Sequence, residues 1–253
     1  LLTKKEKLSV IMPRKDFELD ALSQILNGEM HITCHSYVQS EINMLMKVAE
    51  KFNFKVNTFT HILEGYKVAD IMASHGAGGA SFADWWAFKN EVKEAIPYNA
   101  ALMSQAGVVT AINSDNREMA RRLNQEAGKT IKYGNLSEVE AMKLVTLNPA
   151  KLLNLDHRMG SIKIGKDADL VLWNEHPLSI YSKPLKTIVD GKIYYDIKED
   201  EILRGEIKRE RARIISKMKN SDTPVGGRRK PIKTAHFELT CEDEYDYQST
   251  SEN

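Results

Sequence analysis

Three side chains offer this sequence its most direct chemistry: His35, His61 and Asp115. Imidazole and carboxylate are ordinary ligands of a divalent metal. Each of the three closes a short run with the pattern of a β-strand. Residues 107–116 read Gly-Val-Val-Thr-Ala-Ile-Asn-Ser-Asp-Asn. The apolar, β-branched stretch from Val108 to Ile112 suits a parallel strand covered on both faces. Alternation puts Val109, Ala111, Asn113 and Asp115 on one side, which turns polar only at its last two members. Residues 30–35, Met-His-Ile-Thr-Cys-His, predict a second strand with His31, Thr33 and His35 on one side. Residues 55–61, Lys-Val-Asn-Thr-Phe-Thr-His, predict a third. Barrel and open α/β enzymes keep their chemistry at the carboxyl ends of parallel strands. The competing reading makes Asp115 only the N-cap of a helix beginning near Arg117, and each histidine a structural residue.

The segments that must position these side chains alternate in period. From Asp16 to Asn27, Leu19, Leu22, Ile25 and Leu26 fit one helix face, and Asn27-Gly28 makes a stop. A helix from about Ser40 places Ile42, Leu45, Met46, Ala49 and Phe52 on one face, as core packing. Another runs from about Tyr66 to Ser74. The order helix, strand, helix, strand, helix argues for parallel βαβ units. Residues 76–83, Gly-Ala-Gly-Gly-Ala-Ser-Phe-Ala, fall where a strand is due, yet glycine makes a poor one and instead permits close backbone approach. Their spacing fits no phosphate-binding fingerprint. Of Trp85 and Trp86, adjacent and so pointing apart, one is expected at a pocket and the other in packing. Pro97 precedes a helix from Tyr98 to Gln105.

Beyond Asp115 the pattern is helical. Ser137 and Glu140 form a capping box, and Asn148-Pro149 restarts a short helix with Asn148 as cap. Met159 to Trp173 predicts two short strands around Gly165. Ile188 to Tyr195 predicts a hairpin turning at Asp190-Gly191. Lys198 to Lys219 predicts a highly charged helix with few apolar positions. Residues 220–234 read as a Pro/Gly/Lys/Arg linker, and Glu242 to Asn253 as an acidic tail.

The 253 residues suffice for one or two domains, and 42% hydrophobic with 28% charged residues is the balance of a globular chain. A net charge of +1 argues against a general nucleic-acid or membrane-surface role, and no apolar run approaches membrane-spanning length. Cys34 and Cys241 fit neither a disulfide framework nor a cysteine-based zinc site. The basic cluster at Gly226-Gly227-Arg228-Arg229-Lys230 has no accompanying groove-reading motif and reads as solvated linker; an RNA-binding role would rest on residues 204–233 alone. The chain begins at Leu1 without a signal-peptide pattern, so the expectation is that the true amino terminus lies upstream; the compartment stays open.

Taken in order, these segments resemble the amidohydrolase superfamily, in its imidazolonepropionase-like branch, over about residues 13–196. Residues 35–42, His-Ser-Tyr-Val-Gln-Ser-Glu-Ile, resemble the family's fifth-strand segment with its metal-binding histidine. Residues 61–70, His-Ile-Leu-Glu-Gly-Tyr-Lys-Val-Ala-Asp, resemble the sixth, and Asn113-Ser114-Asp115 the eighth-strand aspartate motif. Thr146 to Ala150 and Gly160 to Asp169 resemble the passage from barrel to β-sandwich. The resemblance implies an α/β fold: the carboxyl-terminal half of a (β/α)8 TIM-like barrel and part of a small β-sandwich, with a charged carboxyl-terminal helix and tail. The domains implied are 1–155, half a barrel holding strands five to eight; 156–196, part of a composite sandwich; and 197–253, helix, basic linker and acidic tail. The family's first-strand His-x-His pair and fourth-strand Lys or Glu have no counterpart before His35.

The resemblance also implies a divalent metal, zinc before others and one or two ions, held by His35, His61 and Asp115. Asp115 would move the proton, and His61 would bind metal or orient the carbonyl oxygen. Tyr37, Tyr66, Lys67, Trp85 and Tyr98 follow strand ends and would line the substrate pocket; the alternative for each is loop packing. The activity implied is hydrolysis of a carbon–nitrogen bond in a small amide, cyclic amide or dipeptide-like substrate. The rest of the barrel would come from a missing amino-terminal half or a partner subunit. The alternative is a non-catalytic relative that uses the fold to bind a ligand or partner.

Overall fold

The computed structural model describes residues 14–85 and 89–220. Trp86, Cys241, the basic stretch beyond Asn220 and the acidic end lie outside the described residues. The chain divides into two compact units, with the division in the sequence between Ala111 and Ile112, inside the last strand described with the first unit. Among the described residues, no helix is long and apolar enough to cross a membrane.

The first unit alternates helices and strands: α1 (Phe17–Leu26), β1 (Ile32–His35), α2 (Gln39–Phe52), β2 (Val56–Thr60), α3 (Ala69–His75), β3 (Gly78–Ser81), α4 (Asn99–Gln105) and β4 (Thr110–Ile112). The sheet order is β1-β2-β3-β4, and β1 with β2 and β2 with β3 pair parallel. Helical crossovers make that parallel pairing possible.

Ile42, Met46 and Ala49 of α2 pack with Val56 and Phe59 of β2 and Met72 of α3 in a fully buried cluster. Phe52 departs from the predicted stripe: it is 58% exposed, at the last turn of α2. The apolar face of α1 forms as predicted but is not covered, with Leu19, Leu22 and Leu26 each more than half exposed. The predicted helix over 66–74 begins as a 3₁₀ turn, Gly65–Lys67, before α3.

The glycine run corrects the expectation of a poor strand. β3 is a strand with all four residues buried. A Cβ on Gly79 would lie 2.6 Å from Ile62 Cδ1 and 3.3 Å from Met72 Cε. The ends of the Ile62, Met72 and Met103 side chains crowd the place a Cβ would take, so glycine packs closely here and that packing outweighs strand propensity.

The second unit holds α5 (Arg117–Ala120), α6 (Leu123–Gly134), α7 (Glu138–Lys143), α8 (Leu147–Leu152), the antiparallel sheet β5 (Leu170–Trp173), β6 (Pro184–Val189), β7 (Lys192–Asp196), and α9 (Ile197–Lys219). Ser137 caps α7 by accepting from Glu140 N–H, whereas the Glu140 carboxylate turns to Lys143. The cap of α8 is Thr146, so Asn148 is buried inside that helix and not at its start. Of the two strands predicted around Gly165 only β5 forms. The stretch before it is a set of turns gathered by Lys166, whose ammonium donates to Asp156 O, Met159 O and Ser161 Oγ. The hairpin is as predicted: Asp190 and Gly191 both have positive φ, 50° and 75°, the primed-turn geometry. No residue of α9 is buried.

Candidate metal centre

His35 is the last residue of β1, and His61 follows the last residue of β2. The two strands are parallel neighbours, so both imidazoles stand at the same end of the sheet. Backbone bonds fix that rim. Ser36 N–H donates to Thr60 O at 3.1 Å, Ile62 N–H to Ala80 O at 3.2 Å, and Glu64 N–H to Tyr37 O at 3.1 Å. Asn99, buried at the start of α4, clamps the segment after His61. Its Nδ2 donates to Ile62 O and Ser81 Oγ, each at 2.8 Å, and its Oδ1 accepts from Tyr66 N–H at 2.8 Å.

The rings of His35 and His61 meet edge to face, centroids 4.8 Å apart. Tyr37 packs edge-on to His35, also at 4.8 Å, and Lys89 Nζ stands 4.5 Å from the centre of the Tyr37 ring. On the other side Phe82 lies 4.8 Å from His61 and stacks on Trp85 at 4.4 Å. The result is a continuous row of rings, Tyr37, His35, His61, Phe82 and Trp85.

Backbone strain marks two of the three candidate ligands. Among the described residues, six non-glycine residues have positive φ. Asn53 and Asn135 end helices α2 and α6, Asn154 follows α8, and Asp190 makes the hairpin. The two left are His61 at 64° and Asp115 at 44°. Such conformations persist where the surroundings over-determine them, and they cluster at functional sites.

Asp115 is not the cap of the helix that follows it. Asn116 is, its Oδ1 accepting from the Glu118 and Met119 N–H groups at 2.9 and 3.1 Å. The competing reading of Asp115 as an N-cap is thereby removed. Close by in sequence, Asn113 Oδ1 is buried and has no hydrogen-bond partner among the described residues.

Two imidazoles on one tetrahedral zinc, each with a Zn–N bond of about 2.05 Å, put their ring centroids roughly 5 Å apart, close to the observed pair. Among the described residues no group of three His, Cys, Asp or Glu is disposed to hold a metal ion. The fit therefore rests on the histidine pair and on the chemistry of the donors.

Of the residues expected to contact substrate, Tyr37 and Trp85 fall in the ring row. Tyr66 donates its hydroxyl to Glu94 O at 2.9 Å. Lys67 bridges Glu94 at 2.7 Å and Glu64 at 3.3 Å. The Glu94 hydrogen bond raises the Lys67 pKa above the ordinary lysine value, and the Glu94 carboxyl is lowered in return. Tyr98 stands half-exposed just before α4. Burial, and then the negative charge of Glu41, push the Cys34 thiol up. Phe82, Lys89 and Asn99 were not legible as site residues. Phe82 lies in a glycine-rich run, Lys89 follows no pattern, and Asn99 sits in a helix that read as packing.

The profile of the amidohydrolase family matches residues 86–194. The chain is 30% identical over 187 residues to the amidohydrolase tasK of Hapsidospora irregularis, covering 72% of this chain and 19% of that protein. It is 28% identical over 116 residues to the urease subunit alpha of Laribacter hongkongensis, covering 39% of this chain and 20% of that one. Among solved structures, an amidohydrolase from Thermotoga maritima superposes with a TM-score of 0.68 at 27% identity, over 76% of this chain and 51% of that one. The chain thus spans about a fifth of these curated relatives and half of that structure.

Proposed function

This chain belongs to the amidohydrolase superfamily, and on that premise we propose that it carries half the active site of a metal-dependent hydrolase of carbon–nitrogen bonds. The observation that carries this reading is the edge-to-face pair of His35 and His61 at the carboxyl ends of adjacent parallel strands.

His35, His61 and Asp115 would hold a divalent cation, zinc before others. When bound, that ion supplies a water acidified to a pKa of about 7 and a polarised carbonyl. Asp115 would take a proton from the attacking water and return it to the leaving nitrogen. The left-handed backbone at Asp115 immediately precedes Asn116, which caps the following helix in its place. His61 would either share the metal or orient the carbonyl oxygen. Tyr37 and Phe82 flank the imidazoles, and Trp85 extends the apolar wall beyond Phe82. Tyr66, Lys67 and Tyr98 form the outer wall against a small amide, cyclic amide or dipeptide-like substrate.

The four-stranded sheet is, in this reading, strands five to eight of a barrel. The remaining strands come from a further segment or from a partner subunit, which covers the open β1 edge and the bare face of α1. The sheet β5-β6-β7 is the chain's share of a composite sandwich.

The test is zinc or cobalt titration of the purified chain, followed by calorimetry and metal analysis. One equivalent bound, and lost in His35→Ala, His61→Ala and Asp115→Ala, supports the site. A folded chain that takes up neither ion removes it and leaves the non-catalytic binding protein as the reading.

A further inference from the structure

We infer that α9 is a self-association element, through which two copies of this chain pair as a short parallel coiled coil. The helix has 23 residues and none is buried. At 100° per residue, Leu203, Ile207 and Ile214 fall within an arc of about 40°, and they are 54%, 65% and 44% exposed. A shallow apolar concavity runs along this arc between Ile207 and Ile214, with Glu206 on one bank and Arg211 on the other.

The spacing assigns the pairing. Ile207 and Ile214 are seven residues apart, with Leu203 four before Ile207. In a heptad this is isoleucine at a and leucine at d, the choice that favours parallel two-stranded coils. On that register Glu199 and Glu206 flank one side of the seam, and Arg204 and Arg211 the other. A parallel copy brings each acid against the base five residues on in its partner: Glu199 to Arg204 and Glu206 to Arg211, each twice by symmetry. Neither Glu206 nor Arg211 has an ion-pair partner among the described residues. An antiparallel copy would set Arg211 against Arg211.

Three charged residues interrupt the seam, Asp200, Glu210 and, at its far end, Lys217. The two acids are already compensated within their own helix, Asp200 by Arg204 at 2.5 Å and Glu210 by Nε and Nη2 of Arg213 at 2.8 and 2.7 Å. Arg213 holds the Glu210 carboxyl below its ordinary value. These positions keep the association weak and fix its register, as polar core residues do. The acidic start and basic end of α9 also suit its own dipole, but the dipole does not account for an unpartnered apolar stripe.

The test is sedimentation equilibrium of the whole chain over roughly 5–500 µM, the range of a weak, short coil. A monomer–dimer equilibrium is expected. It should be abolished in the double variant Ile207→Asp/Ile214→Asp and weakened roughly tenfold by Glu206→Arg or Arg211→Glu alone. It should return to within about twofold in Glu206→Arg/Arg211→Glu, where the charges are exchanged. Circular dichroism checks that α9 persists in each; if the aspartate variant loses helix, the charge series decides. A chain that stays monomeric overturns the inference, as does a dimer indifferent to all these changes or one strengthened by Arg211→Glu. The same holds if the stripe is covered only by a different polypeptide.

Discussion

The imidazole of His35 meets that of His61 edge to face, at an interplanar angle of 70°, across two neighbouring parallel strands. Nothing in core packing requires these two imidazoles, one exposed and one partly buried, since the buried cluster of that unit is built from Ile42, Met46, Phe59 and Met72. If the pair is a ligand set, removing either ring should cost metal affinity more than the 10- to 100-fold typical of outer-shell partners. Zinc titration of His35→Ala and His61→Ala should show a loss of at least about 100-fold with an unchanged melting temperature. Equal losses of affinity and stability would point to packing instead.

Asn99 ties the peptide after His61 to β3 through three hydrogen bonds, and it is 1% exposed. Truncation to Ala removes the partner of the Tyr66 N–H, takes one donor from Ile62 O, which keeps the Ser81 hydroxyl and the Gly65 N–H, and opens a small buried void. The expected cost is about 3–4 kcal/mol, measured by urea unfolding. Because Ile62 follows His61 directly, Asn99→Ala should also weaken zinc binding in the fraction that remains folded.

Gly79 predicts the opposite fault, too much volume. An added methyl would meet Ile62 Cδ1 at 2.6 Å inside a fully buried cluster. Gly79→Ala should destabilise by about 1–3 kcal/mol through overpacking, although alanine suits a strand no worse than glycine. Thermal unfolding reads the difference, and a neutral result would mean that Ile62 can rotate aside.

How much of this was legible in the sequence follows from how local the causes are. The strands ending at His35 and His61, the Asp190-Gly191 hairpin and α9 carry their period or turn chemistry in adjacent residues, and all form as expected. β3 was not legible as a strand because its cause is Ile62, Met72 and Met103, brought in from elsewhere. The cap between Asp115 and Asn116 turns on one residue of register, which either side chain could satisfy. Phe52 and the α1 leucines show the reverse: an apolar stripe states that a face wants cover, not that this chain supplies it. The histidine pair follows from two strand ends, whereas the ring row around it joins side chains from separate segments that no local pattern links.

Asp196 caps α9 and is held by two donors, the Lys186 ammonium at 2.9 Å and the Lys198 N–H at 2.9 Å. The Lys186 bond first, and then the backbone bond, lower its carboxyl below the ordinary aspartate range. A depressed folded-state value means that the cap's contribution is complete above the unfolded aspartate value. It is lost as pH falls through the lower folded value. Helix content at 222 nm should therefore hold to about pH 4 and drop below it. Asp196→Asn, which still caps but cannot ionise, should flatten that part of the titration. A profile identical in the two proteins would detach the cap from the acid transition.

Gly205 sits within α9, and an added Cβ would find its nearest neighbour, Arg209 Nη1, at a comfortable 3.6 Å. Its backbone is helical, so glycine contributes only extra freedom in the unfolded chain. Gly205→Ala should stabilise the helix by about 1 kcal/mol. Hydrogen exchange is the suitable measurement, because a helix without buried residues can open without the rest of its unit. Amides from Ile202 to Arg209 should exchange roughly fivefold more slowly, as 1 kcal/mol implies. Position 205 lies about 200° around the helix from Leu203, away from the stripe formed with Ile207 and Ile214. Slower exchange should therefore come without a lasting change in charge-swap behaviour; an unchanged exchange rate would mean that α9 opens only with the sheet it follows.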